Sequence, residues 1–99
     1  MESFRIEFTP EAIDDMRALR KSDQQLVIAA LEAQLLRQPE QETRNRKRLR
    51  PNRLAEWELR LSSFRVFYDV ETASATVTIE AVGYKRGSYL FVHGEEYEL

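Results

Sequence analysis

The chain has 99 residues, 42% hydrophobic and 32% charged, with a net charge of −2; that supports one small domain with one core. It has no cysteine and one histidine, His93, which excludes disulfides and cysteine zinc sites and leaves too few imidazoles for a histidine metal centre. No stretch reaches the roughly 18 consecutive apolar residues of a membrane span, and Met1-Glu2-Ser3 leads into a strand pattern rather than a secretory signal, so a cytoplasmic location is expected.

Alternation of Phe4, Ile6 and Phe8 with Arg5 and Glu7 predicts a strand over 3–8. Thr9-Pro10-Glu11 follows as a helix start, with an N-cap, a proline at the first helical position and an acid near the positive dipole end. Ile13, Met16 and Leu19 give that helix its apolar stripe, and it ends near Arg20-Lys21. Ser22-Asp23 is the expected cap of a second helix. Leu26, Val27, Ala30, Leu31, Gln34 and Leu35 recur at helical spacing until about Arg37, and Pro39 stops it. The connection is very short, so the helices form an antiparallel hairpin with both stripes facing the core.

Residues 39–55 are polar and arginine-rich, with Pro51-Asn52 as a turn and Leu49 and Leu54 as tethers. Residues 44–53 hold six of the fifteen cations (Arg44, Arg46, Lys47, Arg48, Arg50, Arg53) and no acid, leaving nine cations against seventeen acids elsewhere. A basic strip on an acidic body is the pattern of a local polyanion site. A solvated loop, or a docking strip for an acidic partner, has the same composition.

From Trp57 to Val70 the pattern is a half-buried hairpin that turns at Ser62-Ser63. Folding about that turn sets Leu61 against Phe64, Leu59 against Val66 and Trp57 against Tyr68 on one face, and Arg60 opposite Arg65 on the other. Like charges in that position cost a few tenths to about 1 kcal/mol, so either nearby acids or a bound anion offset them. Glu71-Thr72-Ala73-Ser74 makes the next turn. Ala75, Val77, Ile79 and Ala81 then alternate with Thr76, Thr78 and Glu80 in a strand ended by Gly83, and residues 88–92 form a short strand or extended segment.

The predicted order is β-α-α-β-β-β in a single domain, 1–99. This is an α+β fold whose antiparallel sheet carries the helical hairpin on one face. Trp57, Leu59, Leu61, Val66, Tyr68, Val70, Val77 and Ile79 lie under the helices. Glu56, Glu58, Arg60, Arg65, Phe67, Asp69, Thr78 and Glu80 lie on the open face. There is no glycine-rich phosphate loop, paired histidine, cysteine nucleophile or serine elbow, and no residue set calls for a cofactor or a metal. Glu58 and Glu80 are candidates for a carboxylate pair, with a salt-bridge network to the arginines as the structural reading. Lys85 and Arg86 follow a strand whose neighbour starts near Arg65, so Arg60, Arg65, Lys85 and Arg86 gather at one edge. Such a cluster suits a phosphodiester, because arginine grips phosphate oxygens bidentately and cations stabilise charge developing in phosphoryl transfer. Phe67, Tyr84, Tyr89 and Phe91 offer rings for a base.

Four segments, together with the order of elements, resemble the RelE/ParE superfamily of bacterial toxin–antitoxin toxins: Phe4 to Ala12; Lys47-Arg48-Leu49-Arg50; Leu59-Arg60-Leu61-Ser62-Ser63-Phe64-Arg65-Val66-Phe67-Tyr68; and Ala81-Val82-Gly83-Tyr84-Lys85-Arg86. The resemblance implies a RelE-like fold and a toxin held inactive by a cognate antitoxin in a hetero-oligomer. Its leading activity is that of a metal-independent, ribosome-dependent endoribonuclease that cuts mRNA and inhibits translation. The alternatives are a non-nuclease poison of DNA gyrase and a detoxified relative that only binds an antitoxin. For the nuclease, the resemblance makes Arg65 the contact to the scissile phosphate, puts Lys85 where such enzymes often have another arginine, with Arg60 as support, and aligns Glu58 loosely with a glutamate base. Glu56 and Glu58 stand where RelE has strand lysines, and Phe91 about where it has a C-terminal tyrosine. The acid–base set is therefore incomplete, with Tyr84, Tyr89 or His93 as stand-ins. Arg44, Arg46, Lys47, Arg48, Arg50, Arg53 and Arg86 would hold RNA backbone. The antitoxin's acidic or amphipathic segment would lie over the helices and the basic face.

Overall fold

The computed structural model describes residues 3–99; Met1 and Glu2, which carry part of the expectation about the chain's opening, lie outside the described residues. Among these the order is β1 (Arg5–Phe8), α1 (Pro10–Arg17), α2 (Lys21–Leu35), β2 (Arg46–Arg48), β3 (Trp57–Leu61), β4 (Phe64–Glu71), β5 (Thr76–Arg86), β6 (Tyr89–Val92) and β7 (Glu95–Tyr97). Thr9 caps α1, its Oγ1 accepting the Ala12 N–H at 3.1 Å. The helix ends at Arg17, short of the expected Arg20-Lys21. Gln24 Nε2 of α2 then donates to the carbonyls of Met16 (2.8 Å) and Leu19 (3.1 Å), bracing the turn between the two helices. The second helix starts at Lys21, so Ser22-Asp23 is not its cap; Asp23 sits in the first turn, 3.4 Å from Arg20 Nε. Ala12, Val27, Leu31 and Leu35 are buried, whereas Ile13 and Leu26, expected on the inner stripes, are 40% and 44% exposed.

The sheet runs β2-β3-β4-β5-β6-β7, and β1 lies parallel to the first half of β5. The hairpin register is the expected one, pair for pair, from Leu61↔Phe64 through Arg60↔Arg65 to Trp57↔Tyr68. The strands β2 and β7 were not foreseen. The first turns the middle of the basic segment into an edge paired with β3, and the second makes the tail a hairpin with β6. The strand expected to stop at Gly83 continues to Arg86. A bulge also breaks its alternation: Phe67 pairs with Ala81 and Tyr68 with Ile79, leaving Glu80 as the extra residue. Ala81 therefore moves to the face away from the helices, and Val82 takes its place in the core beneath them.

That core joins Trp57, Leu59, Val66, Tyr68, Val77 and Ile79 to the buried residues of both helices. Tyr68 donates its hydroxyl to Pro39 O at 2.8 Å, and burial pushes the phenol pKa up. The opposite face was expected to be open and charged, with Phe67 exposed in its middle. Phe67 is instead 0% exposed. It packs with Ala55, Ala81 and Val92, and Leu49, Leu54, Leu90 and Tyr97 close the cluster. The cover comes from the segment after β2 and from the β6–β7 hairpin. Asn52 shapes that segment. Its Nδ2 donates to Arg50 O (2.7 Å) and Ala55 O (2.8 Å), and its Oδ1 accepts from Leu54 N (2.6 Å) and Ala55 N (3.0 Å). No helix among the described residues is long and apolar enough to cross a membrane.

Candidate functional site

The facing arginines of β3 and β4 are offset by two different devices. Glu58, whose side chain is 10% exposed, places Oε1 3.1 Å from Arg60 Nε, so an acid two residues along the same strand neutralises that guanidinium. Arg65 is held by backbone: its Nη1 donates to Ser62 O (2.7 Å) and Phe64 O (2.8 Å). Among the described residues its Nε and Nη2 have no hydrogen-bond partner, which leaves one side of the guanidinium available to an anion. The two hairpin tips are tied together by the Lys85 N–H, which donates to Ser63 O at 2.7 Å. Arg65 pairs with Gly83, and the two-residue period of β5 puts Lys85 on the same face as Gly83's partner.

Glu58, Arg60, Arg65 and Lys85 line one cleft of about 490 Å³, closed by Leu49 and Leu90 and by Tyr97, Glu98 and Leu99 of the C-terminal segment. The four residues proposed from the sequence for chemistry thus share one concavity. Tyr97 was missed. Its register partner is Leu90 in β6, and Arg53 lies over its ring at 5.6 Å. The available signal was His93-Gly94, whose φ angles of 54° and 79° make a two-residue hairpin turn and fold the tail back onto the cleft.

Other expected members lie elsewhere. Tyr84 pairs with Phe64, which packs on the helix-side core, and it stacks on Phe91 at 5.3 Å. Arg86 sits 5.9 Å over Tyr84, so alternation along β5 sends Arg86 to the face away from Lys85 and out of the cleft. Tyr89 is Arg86's register partner, also outside the cleft. His93 is engaged at the far end of the β6–β7 hairpin, with Nδ1 2.9 Å from Asp15 Oδ2; the same carboxylate oxygen accepts the Val82 N–H at 3.0 Å. Phe67 is buried and unavailable to a base.

The basic strip also divides. Arg46 is 8% exposed. Its Nη1 donates to Gln34 O (2.7 Å) and Gln38 O (3.1 Å) at the end of α2, where carbonyls lack helical partners and the dipole favours a cation. It is a helix cap, and its expected place among the RNA contacts does not hold. Arg46→Ala should cost about 2 kcal/mol, roughly 8–16 °C in Tm, whereas Lys47→Ala at the exposed neighbouring position should stay within about 0.5 kcal/mol; thermal unfolding of the two variants measures the contrast. Arg48 lies 3.7 Å from Glu56 and 5.6 Å over the Trp57 ring. Arg44, Lys47 and Arg50 are exposed. Arg48, Arg50 and Arg53 line a second groove of about 1010 Å³, whose wall also holds Glu7, Glu56, Asp69 and Glu71. Leu49 borders both concavities.

Glu80, the bulged residue, forms no pair with Glu58. Burial, a hydrogen bond with Asp69 and the negative charges of Asp69 and Glu11 raise its carboxyl from 4.5 to about 7. The folded state therefore holds this proton more tightly than the unfolded chain. The associated stability is full below about pH 4.5 and is lost as pH rises through about 7. Glu80→Gln should be more stable than the parent at pH 8 by about 1 kcal/mol, after discounting for solvent screening, and equal to it near pH 4. Urea unfolding at the two pH values reads the difference.

No curated protein sequence matches the chain. Among solved structures it is similar to the toxin–antitoxin complex RelBE2 from Mycobacterium tuberculosis, with a TM-score of 0.74 and 25% identity over 86% of this chain and 94% of that one. Residues 6–89 match the sequence profile of a family described as the ParE toxin of type II toxin–antitoxin system, parDE. The profile covers all three of the cleft's cations and the fold agrees, so the chain belongs to this family of the RelE/ParE toxin superfamily.

Proposed function

We propose that this toxin acts as a RelE-like, ribosome-dependent endoribonuclease, with the Arg60–Arg65–Lys85 cleft as its phosphodiester site. The observation that carries the reading is the cleft itself: three cations and a phenol converge on one concavity, and Arg65 keeps part of its guanidinium free. Cleavage of RNA by its own 2′-hydroxyl forms a bond from O2′ to phosphorus, with the O2′ proton passing to solvent water, and breaks the bond from phosphorus to O5′. Charge builds on the non-bridging oxygens, and the departing O5′ takes a proton. Arg65 and Lys85 stabilise that charge. Arg60, paired with Glu58, adds little net charge and serves as an oriented hydrogen-bond donor at the cleft wall. Because Glu58 is engaged by Arg60, we assign it as the anchor of that guanidinium rather than a free base. Tyr97 is the phenol in the cleft wall and is assigned as the donor to O5′. Arg44, Lys47, Arg50 and Arg53 extend the positive field along the strip and make binding salt-dependent.

The partner is an antitoxin, in keeping with the complex seen for the similar protein. The exposed apolar side chains of Ile13, Leu26 and Ile28 on the helices suit an amphipathic segment of that partner. A second reading, a gyrase poison, draws on the Glu58–Arg60 pair, which cancels one of the three cations, and on the loss of Phe67 as a base platform.

The wild-type protein in a reconstituted translation reaction and in a gyrase supercoiling assay distinguishes the readings. Primer extension should show new 5′ ends in the translated message, with supercoiling unaffected. Inhibited supercoiling with intact message supports the gyrase reading, and neither effect supports a detoxified relative.

A further inference from the structure

The cleft holds a charged side chain that the phosphate reading leaves unused. Glu98 follows β7 and lines the same concavity as Arg60, Arg65 and Lys85. Glu58 is matched by Arg60 at 3.1 Å. Arg65 and Lys85 form no ion pair among the described residues, and neither does Glu98. Arg65, Lys85 and Glu98 therefore line one concavity with no ion pair between them among the described residues. A phosphodiester entering it meets the field of Arg65 and Lys85 reduced by one opposing charge. The segment is delivered there by β7, whose outer end is fixed by Tyr97 beneath Arg53.

From this placement we infer that Glu98 is a built-in anionic competitor, which weakens the toxin's hold on RNA phosphate by occupying the electrostatic niche of the substrate. The inference rests on the phosphodiester reading of the cleft. Its chemistry is that of any carboxylate set among guanidinium and ammonium groups: an anion with fewer acceptor oxygens than phosphate, held by the chain at a high local concentration. Such a device keeps affinity for stray RNA low and leaves productive binding to a setting in which other contacts hold the RNA in place.

The test is the affinity of the full chain for a 2′-O-methyl RNA decamer, which cannot be cleaved through its 2′ oxygen, measured by fluorescence anisotropy. Four proteins are compared: wild type, Glu98→Gln, Glu96→Gln and Arg65→Ala. Glu96 pairs with Phe91 and is not among the residues that line the cleft, so its variant removes the same charge from the same C-terminal segment. Glu98→Gln should bind on the order of three- to tenfold more tightly at low ionic strength, with the gain shrinking as salt rises. Glu96→Gln should stay within about twofold of wild type, by the same screening argument. Equal affinities for Glu98→Gln and Glu96→Gln would overturn the competitor role, and if Arg65→Ala still weakens binding the phosphate site itself stands. Binding by Arg65→Ala at the wild-type level removes the phosphate site, and the competitor role goes with it.

Discussion

Arg65→Ala should abolish growth arrest on expression and reduce ribosome-dependent transcript cleavage by about 10²- to 10³-fold, the usual consequence of removing one preorganised donor to a developing oxyanion. The residue is suited to that role by how it is held. Two carbonyls of its own turn take one terminal nitrogen, so the guanidinium is positioned before substrate arrives and needs little reorganisation. Lysine at this position cannot keep both carbonyl bonds and also present a planar donor pair, so Arg65→Lys should recover only a small part of the activity. Folding should survive either change. The two bonds lie in a turn with exposed serines, and their loss should cost no more than about 1 kcal/mol. Growth arrest and cleavage by Arg65→Ala at the parental level would remove Arg65 from the chemistry.

Gly83→Ala should be the most destabilising of the conservative substitutions. A Cβ built there lies 2.4 Å from Phe91 O and 3.1 Å from Val92 Cγ2. The demand is for space between β5 and β6, and the nearest obstacle is a backbone carbonyl that cannot rotate away. Moving β6 aside would separate the stacked Tyr84 and Phe91 and draw Val92 out of the cluster that buries Phe67. It would also carry β7, and with it Tyr97, away from the cleft. The expected loss is about 3 kcal/mol, at the upper end of overpacking costs, or roughly 12–24 °C in Tm for a domain of this size. Differential scanning calorimetry measures it; a Tm within a few degrees of the parent would show that the strands separate more easily than this packing implies.

The fold was legible where local pattern and tertiary environment agree. Between Trp57 and Val70, apolar residues alternate on both sides of a two-residue turn, and a one-residue slip would expose all of them; that is why the register could be read pair by pair. The bulge at Glu80 left no such mark, because Ile79 and Ala81 continue a plausible alternation across it. Phe67 looked exposed because Arg65 and Asp69 flank it on the same face. Its cover comes from Leu49, Leu54 and the C-terminal hairpin, contacts distant in the chain.

The site divides in the same way. Arg65 and Arg60 stood out because they face each other, and Lys85 followed from strand direction. The separation of Lys85 from Arg86 was available from the two-residue period of a strand. Nothing in a run of basic residues marks Arg46 as the buried one; what selects it is the end of α2, to which it donates. Tyr97 was hidden behind the His93-Gly94 turn, since without that turn the tail has no reason to return to the cleft.

The central claim, that the cleft of Arg60, Arg65 and Lys85 holds an RNA phosphodiester, is tested most directly by titrating the 2′-O-methyl RNA decamer into ¹⁵N-labelled protein and following backbone amides and arginine Nε–H signals. The account predicts the largest shifts at Arg60, Arg65, Lys85 and Tyr97, with smaller ones along Arg44, Lys47, Arg50 and Arg53. Shifts confined to the basic strip or to the helices, with the cleft signals unmoved at saturation, would contradict it.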